Sequence, residues 1–214
     1  DISNSEDTIN LKKGICSTSK NIDINHSGTA FRFLTSYFSS TKNTEYVLTG
    51  SKRIQQRPIK ELVDTLIKMG ANIEYINKKG FAPLKIKGKS LKGGVYQVSG
   101  KVSSQFITSL LLIAPTLDNG IRLQIDGPLV SAPYVDMTLQ IMKEFGIESK
   151  WKNNIIEIKK QCYSSKEVSV EGDWSAASFW FEIAALSSKC KIILNGLEEK
   201  SLQGDQKCRD FFHN

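Results

Sequence analysis

Residues 103–114 read Ser-Ser-Gln-Phe-Ile-Thr-Ser-Leu-Leu-Leu-Ile-Ala, and seven of the last nine are apolar. Wound as a helix, Phe106, Ile107 and the residues from Leu110 to Ala114 leave almost no polar face. A helix that is hydrophobic nearly all round is stable only when other elements surround it. The segment therefore predicts a helix that lies in the interior of the protein.

This helix belongs to a unit that the sequence repeats nearly three times. Phe31 aligns with Phe106 at a separation of 75 residues, and Phe106 aligns with Phe179 at 73. Further aligned pairs are Gly50 with Gly127, Gly127 with Gly196, and Pro58 with Pro133, at separations of 77, 69 and 75 residues. A period this long indicates a supersecondary unit rather than a short solenoid motif.

Each unit predicts the order β-α-β-α-β-β and hence an α/β (α+β) fold of repeated units. The strand that follows the first helix is β-rich and ends in glycine, as in Val47-Leu48-Thr49-Gly50 and, in the third unit, Ile192-Ile193-Leu194-Asn195-Gly196. The second helix is amphipathic, with Val135, Leu139 and Met142 on one face. The sequence places Pro58 or Pro133 in its first turn and Gly70 or Gly146 at a left-handed cap. Polar and apolar residues alternate within residues 71–75 and 155–158, which predicts the closing strands of the units.

Composition favours a soluble globular protein, because 40% of the 214 residues are hydrophobic and 24% are charged. No stretch has the roughly 18 apolar residues of a membrane span, so we expect no membrane association. The acidic, polar start does not resemble a signal peptide, and the missing start methionine suggests that the chain begins within a longer protein. The four cysteines lie far apart without a CxxC pair, which favours reduced thiols in the cytoplasm over a disulfide framework or a zinc site.

The net charge of +7 and the isoelectric point of about 9.1 predict affinity for phosphates, on nucleic acids or on small metabolites. Plain solubility explains the same charge, because many lysines fall in predicted turns. A nucleic-acid-binding module would need exposed aromatic residues among the basic ones. Instead, the aromatic residues fall in apolar helices, where we expect core packing: Phe31, Phe33, Phe106, Phe179, Trp180 and Phe181.

The starts of the predicted buried helices carry small or hydrogen-bonding residues. Gly28-Thr29 opens the first of these helices, and Ser103-Ser104-Gln105 opens the second. A helix N-terminus presents unpaired N–H groups and a partial positive charge, which suit a phosphate or a carboxylate. Simple N-capping by Ser103 or Thr29 explains each residue taken alone.

Three more residues are candidate ligand contacts at the starts of the second helices. Arg57 precedes Pro58, where its guanidinium could grip a phosphate or carboxylate in a bidentate fork, although most arginines are simply solvated. Ser131 and Tyr134 bracket Pro133 at the equivalent turn. The Tyr134 hydroxyl could contact a ligand or reach water from the edge of the core.

Six segments occur in the order and spacing typical of one known family, and they are spread over essentially the whole chain. They are residues 27–32, 48–58, 102–106, 129–136, 170–173 and 202–205, which include the strings Ser27-Gly28-Thr29-Ala30-Phe31-Arg32, Val102-Ser103-Ser104-Gln105-Phe106 and Leu202-Gln203-Gly204-Asp205. The chain resembles the 5-enolpyruvylshikimate-3-phosphate synthase family.

The resemblance implies transfer of the enolpyruvyl group of phosphoenolpyruvate to the 5-hydroxyl of shikimate 3-phosphate, without metal or cofactor. It implies that Ser103, Ser104 and Ser131 hold the phosphate of shikimate 3-phosphate, while Gln105 and Tyr134 contact that substrate. It also implies that Arg57 binds phosphoenolpyruvate beside Gly28 and Thr29. Proteins of this family are usually monomers and are the target of glyphosate.

The family fold is a two-lobed inside-out α/β barrel in which each lobe holds three units around buried parallel helices. The resemblance implies that residues 1–170 form the shikimate-3-phosphate-binding lobe. Residues 171–214 would contain the return crossing and the incomplete start of the second lobe. An early Lys-Ser motif and most second-lobe residues of the family have no counterpart here, so we expect no catalytic residue in this chain and no activity from it alone.

The nearest alternative is the related enolpyruvyl transferase acting on UDP-N-acetylglucosamine. That family carries a reactive cysteine in the loop before its Arg-Pro segment, whereas residues 51–56 here contain none. The Ser103-Ser104-Gln105 string also favours shikimate 3-phosphate. A non-catalytic basic module that binds anions or nucleic acid is the alternative of a different class.

Overall fold

The computed structural model describes residues 20–129 and 131–212 and contains two units with the same order of elements. The first unit comprises β1 (Asn21–Asp23), α1 (Gly28–Ser40), β2 (Glu45–Thr49), α2 (Lys60–Lys68), β3 (Asn72–Tyr75) and β4 (Leu84–Lys87). The second comprises β5 (Gly94–Ser99), α3 (Ser104–Ile113), β6 (Ile121–Asp126), α4 (Ala132–Glu144), β7 (Ser149–Lys152) and β8 (Ile155–Ile158). The predicted order β-α-β-α-β-β is confirmed in both.

Each unit folds its four strands into one sheet, in the orders β1-β2-β4-β3 and β5-β6-β8-β7. The first two strands of each unit run parallel, because the first helix carries the chain back across the sheet. The remaining neighbours are antiparallel. The equal topology shows that the sequence repeat is a structural repeat.

The helices α1 and α3 lie side by side in a core that both units share. Near their starts, Arg32 contacts Gln105, and one turn later Ser36 contacts Ser109. Because both partners advance together along the chain, the two helices run parallel. Eight of the ten residues of α3 are buried, which confirms the interior helix expected from its apolar sequence.

The second helices, α2 and α4, cover the core with one apolar face. In α4 the side chains of Val135, Leu139 and Met142 are buried, as their spacing predicts. Both helices are followed by a glycine with positive φ, Gly70 at 99° and Gly146 at 83°, which confirms the predicted left-handed caps.

The predicted place of one proline in a second helix is wrong. Pro133 lies in the first turn of α4, whereas Pro58 precedes α2, which begins at Lys60 after the N-cap residue Ile59. The Ile59 side chain is buried, and its N–H donates to the Gly80 carbonyl at 2.9 Å. This anchor holds residues 57–58 outside the helix, so α2 begins later than predicted.

The third unit is only partly formed in the described residues. Residues 171–212 contain the helices α5 (Trp174–Leu186) and α6 (Cys208–Phe212) and no strand. The predicted strand at residues 192–195 is therefore wrong for the described chain. One backbone hydrogen bond, from Gly172 N–H to the Gly196 carbonyl at 2.6 Å, joins the two segments that would have paired. A strand needs hydrogen-bonded neighbours, and within residues 171–212 no adjacent strand supplies them.

The core packing expected for two aromatic residues of α5 is also wrong here. Phe179 is 66% exposed and Trp180 49% exposed, whereas Phe31 and Phe106 are buried as expected. The helix packs mainly on α6 and the short 3-10 turn at Gly204–Lys207, which cover only part of its surface. Among the helices of residues 20–129 and 131–212, none has the length and hydropathy needed to cross a bilayer.

Candidate anion-binding groove

The starts of three helices meet around one groove with a volume of about 630 Å³. The helices are α1, α3 and α4, and the 3-10 turn at Ile54–Gln56 adds Arg57 beside them. Six of the eight predicted site residues line the groove: Thr29, Arg57, Ser103, Ser104, Gln105 and Tyr134. Its other lining residues are Phe33, Thr108, Leu112, Met137, Thr138 and Ile141. The structure therefore brings together residues that lie more than 100 positions apart in the sequence.

The two remaining predicted residues, Gly28 and Ser131, do not line this groove, but each lies at the start of a helix that does. Gly28 is the first residue of α1 and adjoins Thr29. Ser131 occupies the N-cap position of α4, where its carbonyl accepts a hydrogen bond from the Tyr134 N–H at 3.2 Å. Both residues thus adjoin the groove through their helices, whose first turns contribute Thr29 and Tyr134 to its lining.

The hydroxyls of Ser103 and Ser131 are not used as helix caps. Ser103 occupies the N-cap position of α3 and Ser131 that of α4, yet neither side chain makes a capping hydrogen bond. The cap of α1 is Ser27 rather than Thr29, because the Ser27 hydroxyl accepts from the Ala30 N–H at 3.2 Å. Capping therefore does not account for the predicted hydroxyls of Ser103 and Thr29.

Gln105 links the two buried helices at their starts. Its side-chain oxygen accepts from Nη1 of Arg32 at 2.5 Å, and its side-chain nitrogen donates to the Thr29 hydroxyl at 2.8 Å. A guanidinium has only donors, so the amide oxygen must face Arg32 and the amide nitrogen must face Thr29. The amide nitrogen makes this one hydrogen bond among the described residues, and Gln105 lines the groove, so its second N–H has no protein partner there.

Arg57 reaches the start of α1 rather than the start of its own helix, α2. The 3-10 turn before it closes with the Arg57 N–H donating to the Ile54 carbonyl at 3.0 Å. The backbone then continues in an extended conformation. A methyl group placed on Gly28 would lie only 2.3 Å from Nη1 of Arg57, so the guanidinium rests directly on the backbone of α1. Only glycine permits this approach.

Arg32 is a charged residue behind the groove lining, in contact with Gln105, that the sequence did not predict. Its side chain is buried in α1, with the guanidinium 5.4 Å from the centre of the Phe106 ring. Burial, and secondarily the charge of Arg57, lower the pKa of Arg32 below its ordinary range. The sequence feature that could have identified Arg32 is its position as the single charged residue in the apolar stretch Ala30-Phe31-Arg32-Phe33-Leu34.

The electrostatics of the groove favour an anion. In the part of the chain that the structure describes, neither Arg32 nor Arg57 forms a salt bridge. The helix starts add partial positive charge and unpaired backbone N–H groups. No group of three His, Cys, Asp or Glu side chains within residues 20–129 and 131–212 is placed to hold a metal ion.

Comparison with known proteins shows which family the chain belongs to. The sequence model of the family described as EPSP synthase (3-phosphoshikimate 1-carboxyvinyltransferase) matches residues 3–212. The chain belongs to the EPSP synthase family. The resemblance found in the sequence is thereby confirmed.

Two curated relatives in this family show how much of an EPSP synthase the chain contains. The 3-phosphoshikimate 1-carboxyvinyltransferase of Bacteroides fragilis is 45% identical over 212 residues, which cover 99% of this chain and 52% of the relative. That of Haemophilus ducreyi is 46% identical over 169 residues, covering 78% and 38%. The chain thus spans about half the length of the B. fragilis relative and less of the other.

A solved EPSP synthase from Acinetobacter baumannii has the same fold. It matches 86% of this chain and 41% of its own chain with a TM-score of 0.69, at 24% sequence identity. This likeness confirms the predicted fold class, repeated α/β units of the inside-out barrel type.

Proposed function

We propose that this chain forms the substrate groove of an EPSP synthase, an enzyme that transfers the enolpyruvyl group of phosphoenolpyruvate to the 5-hydroxyl of shikimate 3-phosphate. One observation carries the proposal: three helix starts, two serine hydroxyls, a glutamine amide and a guanidinium converge on one groove. Such a set of donors, without a carboxylate among the lining residues, suits a substrate pair that carries two phosphates and two carboxylates.

In this proposal the two ends of the groove bind different anions. The hydroxyls of Ser103, Ser104 and Ser131 donate to the phosphate of shikimate 3-phosphate, together with the N–H groups at the starts of α3 and α4. Tyr134, which is 49% exposed, lines the shikimate ring. This division is supported by the absence of side-chain capping at Ser103 and Ser131.

Phosphoenolpyruvate, and glyphosate in its place, would lie at the other end beside Arg57, Gly28 and Thr29. Gln105 lies between the two ends, since its amide contacts Thr29 on α1 from the start of α3. Enolpyruvyl transfer by addition and elimination brings the two substrates into contact, so a donor between them is placed to touch both. We identify no general acid or base for the reaction among these residues.

We also propose that residues 1–170 belong to the shikimate-3-phosphate-binding lobe and that residues 171–214 lead into the second lobe. The shared core extends from Ile22 to Ile158, whereas the buried Trp174 and Ala177 lie outside it. Residues 161–173 between them contain no regular element. We expect this chain alone to bind its substrates without turning them over. We also expect it to be a cytoplasmic monomer that needs no cofactor.

Calorimetric titration with shikimate 3-phosphate tests the phosphate site. We expect saturable binding that weakens by at least tenfold in the Ser103→Ala/Ser104→Ala variant, because each hydrogen bond to a charged group contributes about 1.5–3 kcal/mol. Ser178→Ala on α5 serves as the matched control and should leave the affinity unchanged. A folded chain without binding, or with equal affinity in the serine variant, would contradict the proposal.

A second titration separates the two ends of the groove. Phosphoenolpyruvate is added to the chain already saturated with shikimate 3-phosphate, and Arg57→Ala is expected to abolish this second binding while largely preserving the first. Loss of both ligands together in Arg57→Ala would contradict the separate assignment. Salt-dependent retention of the chain on DNA would instead favour the nucleic-acid alternative.

A further inference from the structure

We propose that Arg32 is a positioning residue that fixes the orientation of the Gln105 amide and thereby presents its N–H to the substrates. The inference rests on the proposed function, because it concerns how Gln105 acts in that groove. Arg32 itself does not line the groove. Its effect on a ligand must therefore pass through a neighbour.

The contacts of Arg32 connect the two helix starts. Nη1 donates to the Gly28 carbonyl at 3.1 Å within α1 and to the Gln105 side-chain oxygen at 2.5 Å on α3. Gln105 then returns to α1 through the Thr29 hydroxyl at 2.8 Å. These three bonds form a closed link between α1 and α3 at the level of the groove.

The link gives the glutamine amide one orientation. An unrestrained amide can turn its oxygen or its nitrogen toward the groove, and an oxygen there would repel a phosphate or a carboxylate. Facing a guanidinium, the amide satisfies its oxygen only in the orientation observed. Arg32 thus selects the amide orientation that donates to an anion.

Stability alone does not explain an arginine at this position. The side chain is 7% exposed, and its Nε has no hydrogen-bond partner among the described residues. Burying a charge without a counterion is costly, and an apolar side chain of similar size would avoid that cost. An anion bound in the groove would supply the missing opposite charge, which relates the cost of burial to ligand binding.

A double-mutant cycle on shikimate 3-phosphate affinity tests the inference. Arg32→Met, Gln105→Met and the double variant are titrated by calorimetry, and urea unfolding confirms that each is folded. If Arg32 acts through Gln105, Arg32→Met weakens binding about tenfold in the original chain but less than twofold in the Gln105→Met background. Arg122→Met, which removes an exposed positive charge from β6, is the matched control and should change affinity less than twofold.

Equal losses from Arg32→Met in both backgrounds would overturn the inference, since the effect would then not depend on Gln105. So would an unchanged affinity in Arg32→Met. Should Arg32→Met not fold, Arg32→Lys replaces it in the cycle: it keeps the charge and one donor, and its smaller loss should likewise vanish in the Gln105→Met background. Failure of the original chain to bind, or full binding by the Ser103→Ala/Ser104→Ala variant, identifies a failure of the proposed function itself, and the inference falls with it.

Discussion

The helices α3 and α5 have similar apolar sequences but opposite surroundings. In α3 eight of ten residues are buried, whereas in α5 only Trp174 and Ala177 are buried among thirteen. The difference lies in the neighbours: α3 packs between α1 and α4, while α5 contacts mainly the short α6 and a 3-10 turn. An all-round apolar helix thus shows that partners are required, and the number of partners present determines how much of it is buried.

The largest expected effect comes from truncating one leucine in each of the two helices. Leu111 in α3 is fully buried, and Leu186 in α5 is 82% exposed. We expect Leu111→Ala to lower the free energy of unfolding by about 2–5 kcal/mol, through lost apolar burial and a cavity. Leu186→Ala should change it by no more than about 0.5 kcal/mol. Urea unfolding of both variants measures the difference, and similar losses would show that the two helices do not differ as described.

A smaller effect is expected from serine hydroxyls on the same two helices. Ser109 in α3 is buried, donates to the Arg32 backbone carbonyl at 2.9 Å and shares a hydrogen bond with Ser36 of α1. We expect Ser109→Ala to cost about 1–3 kcal/mol, because the Ser36 hydroxyl loses a partner inside the core. The matched change Ser178→Ala in α5 should cost little, since its hydroxyl bonds only its own helix near the surface.

Removing the Ser36 hydroxyl as well provides the control for this prediction. If the cost of Ser109→Ala comes from an unpaired hydroxyl, adding Ser36→Ala should recover part of it, because neither partner is then left unsatisfied. Chemical denaturation of the two single variants and the double variant gives the three values. Costs that simply add would point to lost packing instead of a lost hydrogen bond.

The sequence predicted most of the first two units because local chemistry defines them. Glycine at Gly70 and Gly146 marks the helix ends, since a left-handed cap requires it. The spacing of Val135, Leu139 and Met142 marks the buried face of α4. The six predicted residues that line the groove follow from their positions at helix starts and from the family resemblance, because parallel buried helices bring their starts to one side.

What the sequence did not predict depends on long-range contacts. The role of Arg32 requires a glutamine 73 positions away, and periodicity carries no information about such a partner. The late start of α2 depends on the hydrogen bond between Ile59 and Gly80. The strand predicted at residues 192–195 is absent from the described chain because a strand needs neighbours that its own sequence cannot supply.

A third prediction separates ligand binding from stability. Gly28→Ala would place its Cβ 2.3 Å from Nη1 of Arg57 and 2.9 Å from Nη1 of Arg32. Both atoms are at the ends of flexible side chains, so we expect the guanidinium of Arg57 to move and the unfolding free energy to change by less than about 1 kcal/mol. Phosphoenolpyruvate affinity, measured with saturating shikimate 3-phosphate, should fall by about tenfold.

The control for Gly28→Ala lies in the third unit. A methyl group on Gly204 would meet only Cβ of Pro133 at 3.7 Å, an ordinary contact, so Gly204→Ala should preserve phosphoenolpyruvate affinity. If Gly28→Ala binds that ligand as well as the original chain does, Arg57 does not need its position on α1. The assignment of that end of the groove would then be wrong.

The smallest expected effect is a pH dependence confined to residues 171–203. Burial tends to raise the pKa of Glu171, but hydrogen bonds from the Ser201 hydroxyl and the Glu198 N–H favour the ionised carboxylate, and the pKa is lowered below 4.5. A pKa lowered by folding contributes stability that is present above pH 4.5 and is lost as the pH falls through the lower folded value.

Hydrogen exchange of the Gly172 amide, which is bonded to the Gly196 carbonyl, reports on this contact. At pH 7 Glu171→Gln should reduce protection of that amide slightly, and the difference from the original chain should shrink toward pH 3.5, while Glu182→Gln on the exposed side of α5 should leave it unchanged. A difference that stays constant over this range would show that the carboxylate charge does not hold the third unit together. Neither substitution should change the protection of the α3 amides, because both side chains lie outside the core shared by the first two units.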